Sequence, residues 1–166
     1  MKTIISDTSP LIFLAKLGLL NELCDRFRIE IPQEVSLEAT SRKEFPDART
    51  IQALIDTNRI RVKKISSIEI TAFQKEWGLG KGEAAAILLT LSRKSVIITD
   101  DYSAMRVAKI FHCSFVTTPV LISELCDQKI LSIELALAKL AALKDYAWIS
   151  PEILEDIKKS LIDRGG

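Results

Sequence analysis

The sequence predicts an α/β fold in which a mostly parallel sheet is covered on both faces by helices. Three observations predict it. Short β-branched runs alternate with helix-length spans of spaced apolar residues. The runs are nearly all apolar and only a few residues long, as strands buried on both faces are. The 166 residues show no seam and no internal repeat, so they make one domain large enough to bury about 68–70% of its unfolded surface.

The elements follow in order. Met1–Ser6 carries the first strand run, Thr3-Ile4-Ile5, and Asp7-Thr8-Ser9 ends it. Pro10 falls where the start of a helix tolerates a missing N–H, and Leu11, Leu14 and Ala15 give that helix its stripe, continued less regularly by Leu17–Leu20. Arg28–Ile31 is a second strand and Pro32–Ala39 a short helix; the polar stretch Thr40–Pro46 is a surface loop. Pro46–Thr57 and Ile68–Trp77 are helical by spacing, with Ile60–Lys63 a strand between them. Three glycines at 78, 80 and 82 break the pattern as a tight turn, and Glu83–Ser92 resumes it as an Ala-rich helix. Ser95–Thr99 is the strongest strand run; it leads into Asp100-Asp101 and a helix over Tyr102–Phe111. Ser114–Val116 is a further short strand, then come helices over Val120–Asp127, Ser132–Leu143 and, from the Ser150-Pro151 start signal, to about Ile162.

Composition narrows the function. The 23 basic and 22 acidic residues leave a net charge of +1, so nucleic-acid binding would need a local basic patch. Three cysteines (Cys24, Cys113, Cys126) are widely spaced and odd in number. Disulfide frameworks and thiolate zinc sites are therefore not expected, and a reducing, cytoplasmic setting is. No apolar run has the length of a membrane span, and no secretory leader pattern opens the chain. The turn at Gly78–Gly82 lacks the strand context of a dinucleotide fingerprint, and His112 has no partner at ligand spacing.

Acids mark the functional edge. Asp7 follows the first strand; Asp100 and Asp101 follow the strand at Ser95–Thr99. In parallel sheets ligands bind beyond the carboxyl ends of the strands. Taken singly each acid has an ordinary reading: Asp7 and one of the Asp100-Asp101 pair as helix caps, Glu83 as a first-turn acid. Glu38, near a helix C-terminus, is placed against the dipole. Taken together, carboxylates at one sheet edge repel one another until a cation or shared protons relieve them. An all-oxygen donor set selects Mg²⁺ or Mn²⁺, and such ions suit phosphodiester hydrolysis.

Four segments carry a family resemblance: Asp7-Thr-Ser-Pro-Leu-Ile, Ile31-Pro-Gln-Glu-Val-Ser-Leu-Glu38, Gly80-Lys-Gly-Glu83-Ala-Ala-Ala-Ile and Ile97-Ile-Thr-Asp-Asp101-Tyr. In this order they resemble the PIN domain, and within it the prokaryotic branch related to VapC toxins. The likeness covers roughly residues 1–127, a core, with 128–166 as a helical extension. It implies a three-layer α/β/α PIN-like fold and a nuclease that cuts single-stranded RNA with Mg²⁺ or Mn²⁺. Carried over, Asp7, Glu38, Glu83 and Asp101 form the acidic set, with Asp100 the second choice beside Asp101. Thr99 orients an acid or a water, and Thr8 and Ser9 assist by hydrogen bonding. Glu83 departs from the Asp that many members carry there. Lys81 and Arg106, with Arg42 and Lys43, are the basic residues placed to meet an RNA backbone. The same resemblance implies an antitoxin protein as partner and a homodimer. Two rivals stand beside this reading: a PIN-like binding or regulatory subunit that cuts weakly or not at all, and a DNA-directed nuclease.

Overall fold

The computed structural model describes residues 1–165, which divide into two compact units, Met1–Val116 and Thr117 onward. In the first unit β1 (Lys2–Ser6) forms from the β-branched run, burying Ile4 and Ile5. The chain turns into α1 (Thr8–Lys16) at Asp7, whose carboxylate accepts the Thr8 amide. Pro10 lies in the first turn rather than at its first position; its missing N–H still matters little, because the earliest intrahelical bond runs from the Leu11 N–H to the Asp7 carbonyl. The apolar run Leu17–Leu20 does not extend this helix. Gly18 takes φ +69°, a left-handed conformation that glycine adopts freely, and a separate α2 (Leu20–Arg26) follows.

Next come β2 (Phe27–Pro32), α3 (Gln33–Ala39), α4 (Pro46–Asp56) and β3 (Ile60–Lys63). They are followed by α5 (Ser67–Trp77), α6 (Lys81–Arg93), β4 (Val96–Ile98), α7 (Tyr102–Ile110) and β5 (Ser114–Val116). Every strand run read from the sequence forms a strand. The sheet order is β3-β2-β1-β4-β5, and every neighbouring pair is parallel. Ile5 registers with Glu30 on one side and Ile97 on the other.

This order positions the site. The chain steps from β1 through β2 to β3 in one direction, then returns to lay β4 and β5 on the far side of β1. Right-handed crossovers then put α1 to α4 on one face and α5 to α7 on the other. The order reverses between β1 and β4, the place where open parallel sheets bind ligands beyond their strand ends. On the α5 to α7 side the core joins Ile5 and Ile97 to Ile70, Phe73, Ala84–Ile87, Ala104 and Val107. The run of small residues in α6 lets that helix lie close to the sheet. Trp77 and Phe111 close one edge of the core with ring centroids 5.2 Å apart, edge to face.

In the second unit α8 (Thr118–Asp127), α9 (Ile133–Leu143) and α10 (Pro151–Gly165) pack on one another. The Ser132 hydroxyl accepts the Leu135 amide at 3.1 Å and starts α9. No described helix is long and apolar enough to cross a membrane.

Candidate active site

Asp7 stands at the reversal point, where β1 gives way to α1. Its own N–H donates to the Ile98 carbonyl at 3.0 Å, so sheet pairing continues one residue past the strand. The carboxylate is held at both oxygens: Oδ1 accepts the Thr8 amide at 2.8 Å and Oδ2 accepts the Thr99 hydroxyl at 3.2 Å. The residue is only 5% exposed. Burial pushes its pKa up to about 6, and Glu83 and Asp101 add to the rise, against the opposing Thr8 amide and Thr99 hydroxyl.

Thr99 is fully buried at the end of β4. Its hydroxyl gives its proton to Asp7 and accepts the Asp101 amide at 3.3 Å. One side chain thus joins the acids that follow β1 and β4. Asp101 caps α7, its Oδ1 accepting the Ala104 amide at 2.8 Å. Asp100, between them, is half-buried.

Glu83 enters from α6. Its Oε2 accepts the Gly80 amide at 2.9 Å, closing the first turn on itself. Burial raises its pKa first, and the charges of Asp101 and Glu38 raise it further. Glu38, exposed near the end of α3, accepts the Thr8 hydroxyl at 2.6 Å. That donor answers the sequence puzzle of an acid set against the dipole.

The structure therefore brings Asp7, Glu38, Glu83, Asp101, Thr99 and Thr8 to one edge, tied by hydrogen bonds or by mutual charge. Ser9, Lys81 and Arg106 are exposed on α1, α6 and α7, and among the described residues neither cation forms a salt bridge with these acids. Sequence reasoning missed Gly82. A Cβ there would sit 2.9 Å from Glu38 Oε2 and 3.2 Å from Thr8 Oγ1, so glycine lets α6 lie against the Glu38–Thr8 pair without displacing the Glu38 carboxylate. The signal was present as the third glycine of the 78–82 turn. The other two do different work: Gly78 ends α5 at φ +66° and Gly80 precedes α6 as its cap.

As a donor set the site is chemically uniform: carboxylate and hydroxyl oxygens, with no imidazole or thiolate among the residues described above. That composition fits a hard divalent cation. Among the described residues no three acids stand close enough to grip one ion together. The set is gathered electrostatically without being closed.

The fold and site thus define a parallel α/β domain with one buried acid, Asp7, and less buried acids gathered about its strand reversal. A family model of the PIN domain matches residues 3–163, and the chain belongs to the PIN domain family. PIN domains are in general nucleases and typically use divalent metals. No curated protein matches the sequence. Among solved structures it is similar to PAE2754 from Pyrobaculum aerophilum, at 17% identity and a TM-score of 0.56, over 76% of this chain and 98% of that one. It is also similar to VapBC2 from Rickettsia felis bound to a DNA fragment from its promoter, at 11% identity and a TM-score of 0.49, over 69% of this chain and 98% of that one. The first likeness shows the shared fold.

Proposed function

We propose that the protein is a divalent-metal-dependent endoribonuclease that hydrolyses phosphodiester bonds in single-stranded RNA. One observation carries the reading: Asp7 is buried at the strand reversal with no salt-bridging cation among the described residues, tied through Thr8 to Glu38 and through Thr99 to Asp101, and burial with the charges of Glu83 and Asp101 lifts its pKa to about 6. Asp7, Asp101, Glu83 and Glu38 would hold Mg²⁺ or Mn²⁺, with Asp100 the reserve ligand. The ion, when bound, supplies the charge that polarises the phosphate and lowers the pKa of water. Asp7 is fixed by Thr8 and Thr99, so its oxygens keep one orientation. Glu38 and Glu83 hang on longer side chains and can swing inward to complete the set or orient the attacking water. Lys81 and Arg106, with Ser9, lie where they can meet the strand's phosphates.

The four motifs similar to the VapC branch extend the reading to the toxin of a toxin–antitoxin pair. An antitoxin covering the acidic crevice, a homodimer and a cytoplasmic setting belong to that proposal, as does the organisation of residues 1–166 as one domain. A second reading has its own observation: Glu83 already spends an oxygen capping its helix, which favours a PIN fold that binds without cutting.

Cleavage of mixed-sequence single-stranded RNA, with and without Mn²⁺, tests the choice when Asp7→Asn is run alongside. Metal-dependent cutting that vanishes in the variant is expected. A folded protein that cuts none of several RNAs overturns the nuclease reading in favour of the binding subunit, and cutting of a 2′-deoxy strand at equal rate overturns RNA as the substrate.

A further inference from the structure

A groove of about 360 Å³ lies between α1, α3 and α4, within the size range of small-ligand clefts. It shares a residue with the acidic edge: Glu38 lines the groove and also accepts the Thr8 hydroxyl beside Asp7. A strand crossing the acids therefore has a direct path into it. Its walls combine Ile12 with the ring of Phe45, and its rim carries Lys16, Arg42 and Asp47. Phe45 is 44% exposed, a large apolar ring left open to solvent, and the Arg42 guanidinium lies over it at 5.9 Å from the centroid.

The charge pattern selects the ligand. Two cations and two acids line it, Lys16 and Arg42 with Glu38 and Asp47, so the groove is not a phosphate cradle. An open ring, an apolar wall and both donors and acceptors at the rim match a flat heterocycle with polar edges. An unpaired base can present its face to such a ring, whereas a duplex hides it. We infer that this groove is a nucleotide subsite in which one unpaired base of the bound strand stacks on Phe45. The base takes the ring face that Arg42 covers, and the displaced guanidinium is left to meet the adjoining phosphate.

This subsite rests on the single-stranded RNA reading above, and the experiment separates the two. Asp7→Asn protein, which binds without cutting under that reading, is titrated with a short fluorescein-labelled mixed-sequence RNA. Adding Phe45→Ala is expected to weaken binding about tenfold, the scale of one base–aromatic stack, while Phe45→Trp restores it. An abasic ribose-phosphate strand is expected to bind equally well with and without the Phe45→Ala change. Arg42→Gln should lower the slope of log affinity against log salt by about one. Affinity for RNA that is unchanged by Phe45→Ala in a folded protein overturns the subsite and leaves the groove to a protein segment. Cleavage by the unaltered chain then still reports on the nuclease reading. If the unaltered chain neither cuts nor binds RNA, both fall together.

Discussion

Two carboxylates in the first unit are buried equally and treated oppositely. Glu30, on β2, and Asp7, just past β1, are each 5% exposed. Glu30 registers with Ile5, two residues before Asp7, so the two acids lie on adjacent strands a short way apart. Glu30 is matched by cations from distant segments, Arg93 Nε at 2.9 Å and Lys63 Nζ at 3.6 Å. Asp7 has an amide, a hydroxyl and further acids around it, and its pKa rises to about 6. The fold can neutralise a buried acid with its own side chains, and does so on β2. At the strand reversal, among the described residues, no side-chain cation forms a salt bridge with Asp7. A carboxylate kept to hold a ligand must not be satisfied by the protein itself.

Removing the charge at Asp7 gives the largest contrast. Asp7→Asn is expected to lower metal-dependent cleavage by about 100- to 1000-fold, as loss of a preorganised electrostatic group does. The same change should stabilise the apoprotein. Because the folded pKa, about 6, lies above the ordinary 3.8, the folded chain retains a proton that the unfolded chain loses. Stability therefore falls as pH rises through that interval, by up to about 3 kcal/mol. Thermal melts at pH 4 and pH 7 should show this decline in the unaltered protein and its absence in Asp7→Asn. A steep decline retained in the variant would assign it to another group. Mn²⁺ should raise the melting temperature of the unaltered protein and do so far less in the variant.

Gly82→Ala probes geometry without touching charge. Its Cβ displaces the end of the Glu38 side chain, which can rotate into solvent, so the melting temperature should hardly move. Cleavage should drop about 10- to 100-fold, because misplacement on the scale of 1 Å is costly to a preorganised site. Unchanged cleavage would remove Glu38 from the acidic set.

Arg93→Met attacks the other side of the comparison. It strips the nearer cation from Glu30 and should cost about 1–3 kcal/mol in chemical denaturation, with metal-dependent cleavage per folded molecule preserved. Loss of cleavage beyond the loss of folded protein would show that the two acids are coupled. The smallest effect is expected from Thr99→Val. It removes the hydroxyl shared by Asp7 and the Asp101 amide, for about 1 kcal/mol of stability. It also deletes a donor that lowers the Asp7 pKa, so the pH-dependent decline in stability should move to higher pH.

Local patterns carried much of this into view before any coordinates. The five strands were legible because short β-branched runs between turn residues have few other uses. Asp7 and Asp101 were legible because an acid directly after a strand and before a helix is doubly marked. The separation of α1 from α2 was obscured because Leu17, Leu19, Leu20 and Leu23 keep an apolar rhythm across the break, and only the left-handed Gly18 disrupts it. Glu30 was silent because its partners stand at 63 and 93, on elements whose adjacency depends on sheet order. Gly82 was visible as a glycine, but its reason, the oxygen of Glu38, lies across the fold.

The hydrogen bond from Thr99 to Asp7 spans 92 residues of chain, and it links the end of the first strand to the end of the fourth. β1 lies at the centre of the sheet with one flank open until β4 docks beside it. During synthesis, Asp7 emerges early and waits for more than half of the chain before its partners exist. Contacts of such long range are made late and slowly. The acidic edge is thus completed only with the whole unit, and a nascent or truncated chain that stops short of Thr99 carries Asp7 and its Thr8 amide but lacks the Thr99 hydroxyl and Asp101.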